Sequence, residues 1–262
     1  MPDLRHAAVR YFRHWLLCES IHSAHSPFLY SFWNEVLCAD VGIIPEAEQI
    51  RQELVRNQNL VPAFSSLSRA IKPRPVSHIV RNETASPALA SFYSRLAGFT
   101  GARNILEIGT SVGLTSLYLS SDPARKLITM EAVEEISRIA IATFRKAGRN
   151  NIRLVMGDAR LNLASTLQDG FIPDLALIDA SHTFKATVEF FETLSASMNS
   201  AGVIIIDDIH HNHGMTQAWA TITELNASAL CLDCFRFGMV FLDPSLPKEC
   251  RIIETPFALL RS

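Results

Sequence analysis

The chain has 262 residues, 48% of them hydrophobic and 19% charged, enough to bury a large core without disulfides or metal staples. Its 24 Lys and Arg oppose 26 Asp and Glu, a formal charge of -2 with no block of like charge, which argues against a general nucleic-acid binder or a polybasic membrane-surface protein. Eleven Gly, 12 Pro and short apolar runs exclude collagenous, disordered and coiled-coil chains, and no run approaches the roughly 20 apolar residues of a membrane span.

The first 18 residues mix Arg5, Arg10, Arg13 and His14 with apolar residues and carry no signal-peptide pattern. Cys18, Cys38, Cys231, Cys234 and Cys250 are odd in number and scattered, so a reducing cytoplasm is expected. Leu4, Ala7, Ala8, Tyr11, Phe12 and Trp15 recur at helical spacing, a stripe that reads as core or lid packing or as a small dimer interface. Ser26-Pro27 caps a helix through Leu37, Pro45 opens another through Val55, and Ser86-Pro87 opens a third over Leu89 to Leu96. Asn57 to Ser77, with three prolines, reads as an irregular connection. Residues 1–75 are thus expected to be a helical extension or lid, with Ser20 to Phe28, including His22 and His25, nearest an acceptor pocket; residues 76–262 form the main body.

From Asn104 the chain alternates short apolar runs with amphipathic stretches, the signature of βαβ units. Strands are expected over Asn104–Ile108, Leu127–Met130, Ile152–Met156, Leu175–Ile178 and Val203–Ile206, apolar on consecutive residues and so covered by helices on both faces. The intervening helices span roughly 113–121, 133–147, 159–167, 183–198 and 215–225. Ala229–Asp233 and Phe235–Leu242 lie too close together for a helical crossover and must pair antiparallel or leave the sheet. The expected fold class is α/β: a doubly wound, mostly parallel sheet of order 3-2-1-4-5, a terminal antiparallel pair and a helical N-terminal extension.

Ligands of such sheets bind at the carboxyl ends of the strands. Here each end is acidic: Glu107, Glu131, Asp158, Asp179 and Asp207-Asp208. The first turn, Glu107-Ile108-Gly109-Thr110-Ser111-Val112-Gly113, lets backbone approach a ligand at Gly109 and Gly113. A dinucleotide fingerprint would need glycine at 111 and 114, where Ser111 and Leu114 stand, so a nicotinamide oxidoreductase is the weaker alternative. Glu131 is placed for a ribose diol, since its two oxygens can accept from both hydroxyls.

This set resembles the class I S-adenosylmethionine-dependent methyltransferases, over about residues 80–245. The resemblance implies that Gly109, Thr110, Ser111 and Gly113 border the methionine part of that cofactor, with Glu107 and Asp179 nearby. It further implies that Glu131 binds ribose, that Asp158 and Ala159 flank adenine, and that a methyl group passes to an oxygen, or a nitrogen, of a small acceptor. A non-catalytic cofactor-binding protein is the other alternative.

Leu177 to His182 and Gly202 to Asp208 are similar to the catechol-type O-methyltransferases, which imply magnesium held by Asp179, Asp207 and Asp208. Adjacent strands about 4.8 Å apart could bring two of these acids to one cation. Asp208 stands where those enzymes have asparagine, and His182 where they have a catalytic lysine. Asp-x-x-His and Asp-Asp-Ile-His also look like a further set of bacterial methyltransferases. His182, three residues past Asp179, is therefore the expected base, with His210 as the second candidate, since an ordinary imidazole titrates near neutrality. His210, His211 and His213 also raise a zinc site, for which no partner pattern appears. Cys231-x-x-Cys234 lies in a strand, where a redox role is not expected.

Overall fold

The computed structural model describes residues 4–20, 26–64, 71–226 and 229–260, so Met1–Asp3 and the expected acceptor-side histidines His22 and His25 lie outside the described residues. The first helix is α1 (Leu4–Leu17). Its inner side is His14, buried at 7% exposure, with Tyr11 edge-on to Phe235; Phe12 and Trp15 are about 60% exposed, alongside Val9 and Leu16. Of the stripe, Phe12 and Trp15 thus face outward, while the buried carboxylate of Asp233 draws the His14 imidazole inward.

Pro27 starts α2 (Pro27–Phe32) after an extended Ser26, and the helix runs on through one π-type turn, Trp33–Leu37. Leu29, Phe32, Trp33, Val36 and Leu37 are buried, and Phe28 and Phe32 pack their rings on Phe99 and Phe241. Next comes α3 (Pro45–Leu54), whose Glu48 accepts from the Tyr118 hydroxyl and pairs with Arg51.

The expected irregular connection is instead a ribbon. β1 (Leu60–Phe64) pairs antiparallel with β2 (Ile71–Pro75), followed directly by α4 (Val76–Asn82). The register sets Pro62 opposite Pro73 and Leu60 opposite Pro75. All three prolines thus occupy alternate pairs of one type, the type whose N–H groups point away from the partner, which is where a ribbon tolerates proline. α5 (Pro87–Phe99) begins at Ser86, whose hydroxyl accepts from the Leu89 amide.

The remaining elements follow in the expected rhythm: β3 (Asn104–Ile108), α6 (Leu114–Leu119), β4 (Lys126–Glu131), α7 (Glu134–Lys146), β5 (Ile152–Met156), α8 (Ala159–Gln168), β6 (Leu175–Ile178), α9 (Phe184–Ser195), β7 (Val203–Ile206), α10 (His213–Leu225), β8 (Leu230–Asp233) and β9 (Gly238–Phe241). The chain closes with β10 (Cys250–Ile252) and α11 (Phe257–Leu260), which sequence patterning did not disclose. The sheet order is β10-β8-β9-β7-β6-β3-β4-β5. Its central five strands are parallel in the order expected, and β9 runs antiparallel to both β7 and β8.

Side chains alternate between two cores, as strand pleating requires. Ile105, Leu127, Leu177 and Ile205 face a layer built from residues of α2, α3, α5, α6 and α7. Leu106, Met130, Ile178 and Ile206 face α8, α9 and α10. The segment from α2 to α3 is thus part of the first layer, not a body of its own. Among the described residues no helix is long and apolar enough to cross a membrane.

Candidate active site

Two loops at the carboxyl edge of the sheet touch. Gly109, at φ +107°, ends β3 so tightly that a Cβ placed there would lie 2.1 Å from the Asp179 carbonyl oxygen at the end of β6. Its amide and that of Thr110 both donate to the Met130 carbonyl, pinning the turn to β4. Gly113, at φ +85°, lets α6 start against the Phe144 ring, and Ser111 adopts φ +50°.

The carboxylate of Glu131 is aimed by this loop. Its Oε2 accepts from the Ser111 amide at 2.9 Å and its Oε1 from the Val133 amide at 3.0 Å, leaving further lone pairs on each oxygen. Burial raises its pKa, and the amides of Val133, Ser111 and Ala132 oppose that rise. Glu107 is fully buried beneath. Its Oε2 accepts from Ser116 Oγ at 2.5 Å and Thr129 Oγ1 at 2.6 Å, while Oε1 has no partner. Burial pushes this carboxyl up to about 8, against those two hydroxyls. Thr110 is turned inward as well, its hydroxyl 2.6 Å from that of Thr129.

An orphaned buried carboxyl oxygen, two glycine turns and the pinned Glu131 carboxyl with spare acceptors suit a hydroxyl-bearing ligand such as S-adenosylmethionine. Asp158 stands at the end of β5 as expected, but its side chain caps α8 through the Arg160 amide and pairs with the Arg160 guanidinium. Ala159 is the first residue of that helix.

The second loop carries a cluster of titratable groups. Ser181 and His182 (φ +64° and +31°) and, after β7, Asp208 (φ +56°) are non-glycine residues held in the left-handed region. Such strain, roughly 1–3 kcal/mol each, persists where surrounding structure fixes it, and it clusters at functional sites. Asn212, the cap of α10, donates to the His182 carbonyl. His182 Nε2 lies 3.4 Å from Asp179 Oδ1 and 3.7 Å from Asp208 Oδ2. Burial opposes its charge, yet the contact with Asp179 and the negative charges of Asp208, Asp179 and Asp207 prevail and raise it to about 9.

His210 sits elsewhere. Its Nε2 is 3.0 Å from Asp233 Oδ2 and its Nδ1 3.4 Å from Thr216 Oγ1, so both ring nitrogens are engaged. Asp233 also takes the Trp219 indole N–H and faces His14, forming a buried hub between α1, β8 and α10 beside a cavity of about 270 Å³. Cys231 and Cys234 are buried thiols, the first raised to about 12 by burial and so unreactive.

The expected magnesium set does not fit. Asp207, 2% exposed, has both oxygens on one guanidinium: Oδ1 accepts from Arg236 Nε and Oδ2 from Nη2, each at 3.3 Å. Asp179 and Asp208 turn instead to His182, and Asp208 also lies 3.8 Å from His211. Among the described residues no three His, Cys, Asp or Glu side chains form a metal site. Arg236 was invisible to motif reading, being 29 residues from Asp207 in a hairpin; the only signal was a lone cation between two phenylalanines in an apolar strand pair.

The model of a family described as O-methyltransferase matches residues 65–227. The chain belongs to this O-methyltransferase family. Among curated relatives, a catechol O-methyltransferase of Mycobacterium tuberculosis is 28% identical over 47% of this chain and 56% of its own length; the chain spans about half the length of the curated relatives it matches. Two solved structures share the fold at TM-score 0.57. An O-methyltransferase from Bacillus cereus in complex with SAH is 22% identical, covering 84% of this chain and 99% of that one. The O-methyltransferase TomG from Streptomyces achromogenes, in complex with SAM, is 18% identical, covering 82% and 95%.

For this family member, Glu131→Ala is expected to weaken binding of S-adenosylhomocysteine by about 1.5–3 kcal/mol, the worth of hydrogen bonds to a charged acceptor. Calorimetry measures it; unchanged affinity removes Glu131 from the site.

Proposed function

We propose that the chain transfers the methyl group of S-adenosylmethionine to a hydroxyl oxygen of a small acceptor, with a catechol or related phenol as the first class to test. The observation that carries this reading is the contact of the two loops: the glycine turn that would hold the cofactor lies against the strand end that carries Asp179 and leads to His182. The catechol suggestion comes from the name of the mycobacterial relative.

When bound, the cofactor supplies an electrophilic methyl group on a sulfonium. Glu131 would accept from the ribose hydroxyls, and the backbone of Gly109, Thr110, Ser111 and Gly113 would border the methionine part, above the orphaned oxygen of Glu107. His182 Nε2, set between Asp179 and Asp208, would receive the acceptor's proton, and those carboxylates would stabilise the imidazolium formed. His210, with both nitrogens engaged, is better suited to holding α10 and β8 together than to moving a proton. Asp158 and Ala159 would flank the adenine through the backbone at the start of α8. A nicotinamide ligand fits less well, because Ser111 and Leu114 stand where a dinucleotide turn needs glycine.

Residues 1–75 are proposed to close the acceptor side, since His14 of α1 reaches Asp233, which holds His210 in the loop after β7. The scattered cysteines support a cytoplasmic location. The exposed Val9, Phe12, Trp15 and Leu16 of α1 support self-association, which predicts a dimer in sedimentation experiments and a monomer for the double variant Phe12→Ser, Trp15→Ser. The deciding experiment for function is calorimetric titration with S-adenosylmethionine and its demethylated product, followed by turnover on a panel of catechols. Absence of binding by both cofactor forms would overturn the assignment.

A further inference from the structure

We propose that Arg236 takes the place of a divalent cation in this chain, so that the acceptor site works with side-chain charge instead of a bound metal. The proposal rests on the methyltransferase reading only for its catalytic consequence; the occupancy of Asp207 stands on geometry.

The hairpin between β8 and β9 is short and rigidly placed. Phe235 turns at φ +64°, the Cys234 amide donates to the Phe237 carbonyl, and the Asp233 carboxylate accepts from the Phe235 amide. The Arg236 carbonyl accepts from the Ile209 amide, two residues after Asp207, tying the hairpin to the loop it serves. From there the guanidinium, 13% exposed, covers both oxygens of Asp207. A planar fork on a carboxylate is a directional pairing that a point charge cannot reproduce, and the guanidinium cannot lose its proton to vacate it.

Magnesium needs several oxygens at about 2.1 Å in near-octahedral array. Here Asp207 is taken, and the space between Asp179 and Asp208 holds the His182 imidazole, with a nitrogen less than 4 Å from both. Adding a dication would set it against Arg236 and require breaking a buried ion pair, which leaves an uncompensated charge. The Tyr93 hydroxyl, fully buried close to Asp207, is held well above the ordinary phenol range by burial and then by the charge of Asp207.

The test uses Mn2+ and Mg2+ on the full chain stripped with a chelator and dialysed. Wild type is expected to show no saturable Mn2+ binding below about 1 mM by calorimetry or electron paramagnetic resonance. Its melting midpoint should stay within about 1 °C in 10 mM Mg2+, whereas a site with a Kd near 0.1 mM would raise it by roughly 5 °C. Arg236→Gln, by freeing Asp207, is expected to acquire saturable Mn2+ binding. A wild-type Mn2+ site that Asp207→Asn abolishes would overturn the proposal, as would a folded Arg236→Gln that gains none. Should Arg236→Gln fail to fold, the wild-type titration decides alone. Cofactor titration of the same wild-type sample separates the two readings: failure to bind both S-adenosylmethionine and S-adenosylhomocysteine would overturn the proposed function and leave the metal result standing.

Discussion

Replacing His182 with alanine is expected to lower turnover of the methyl acceptor by about 10²- to 10⁴-fold while leaving S-adenosylhomocysteine affinity nearly unchanged. The imidazole lies between the carboxylates of Asp179 and Asp208, on the loop after β6, so its loss should register in the chemical step. The pH dependence has a definite sign. With the histidine raised from its ordinary 6.5 to about 9, the imidazolium predominates at neutral pH and only a small fraction is ready to accept a proton. Turnover of wild type should therefore rise with pH and level off above about 9, a limb absent from His182→Gln. Stability should move the opposite way: the contribution of this histidine is complete below 6.5 and disappears as pH rises through about 9. A variant as active as wild type, or a wild-type profile flat from pH 7 to 10, would reduce His182 to a loop residue.

What the sequence could disclose was governed by periodicity and by short-range spacing. The five parallel strands were legible because they are apolar on consecutive residues and separated by helical patterns. The acidic carboxyl edge of the sheet was legible because each strand end carries its acid within a few residues of the strand, and Asp179 and His182 lie three residues apart. The ribbon of β1 and β2 was hidden because prolines normally argue against strands, and only the register shows that all three share the tolerated positions. The facing of α1 was left open for a different reason: an apolar stripe reports that a helix has a face, not which partner wins it, and here a buried Asp233 selects His14. Arg236 and Asp233 were missed because long-range pairing across a hairpin leaves no local pattern. Those two residues change the chemistry most. One occupies the carboxylate expected to bind magnesium, and the other withdraws His210 from the list of available bases.

Gly109→Ala is expected to be the most damaging single-methyl change in the chain. Two costs combine at this position. The backbone at φ +107° lies outside what L side chains ordinarily adopt, a strain of roughly 1–3 kcal/mol by itself. The added Cβ would also fall 2.1 Å from the Asp179 carbonyl oxygen and 2.8 Å from its carbon, both backbone atoms at the end of a buried parallel strand and unable to swing aside. Either β3 and β6 separate at their ends or the turn reorganises. The first outcome sacrifices the hydrogen bond from the Asp179 amide to the Ile108 carbonyl; the second breaks those from Gly109 and Thr110 to Met130. A total loss of about 4 kcal/mol or more follows, corresponding to a fall in melting midpoint of roughly 10 °C for a chain of this size, with cofactor affinity lost in whatever remains folded. Gly148→Ala supplies the control, because that glycine also has positive φ, +64°, but nothing lies within 4 Å of its would-be Cβ. It should cost only about 1 kcal/mol and leave binding intact. Equal melting points for the two variants would mean that the loops do not press on each other as described, and the contact that joins the cofactor turn to the acid–base loop would have to be abandoned.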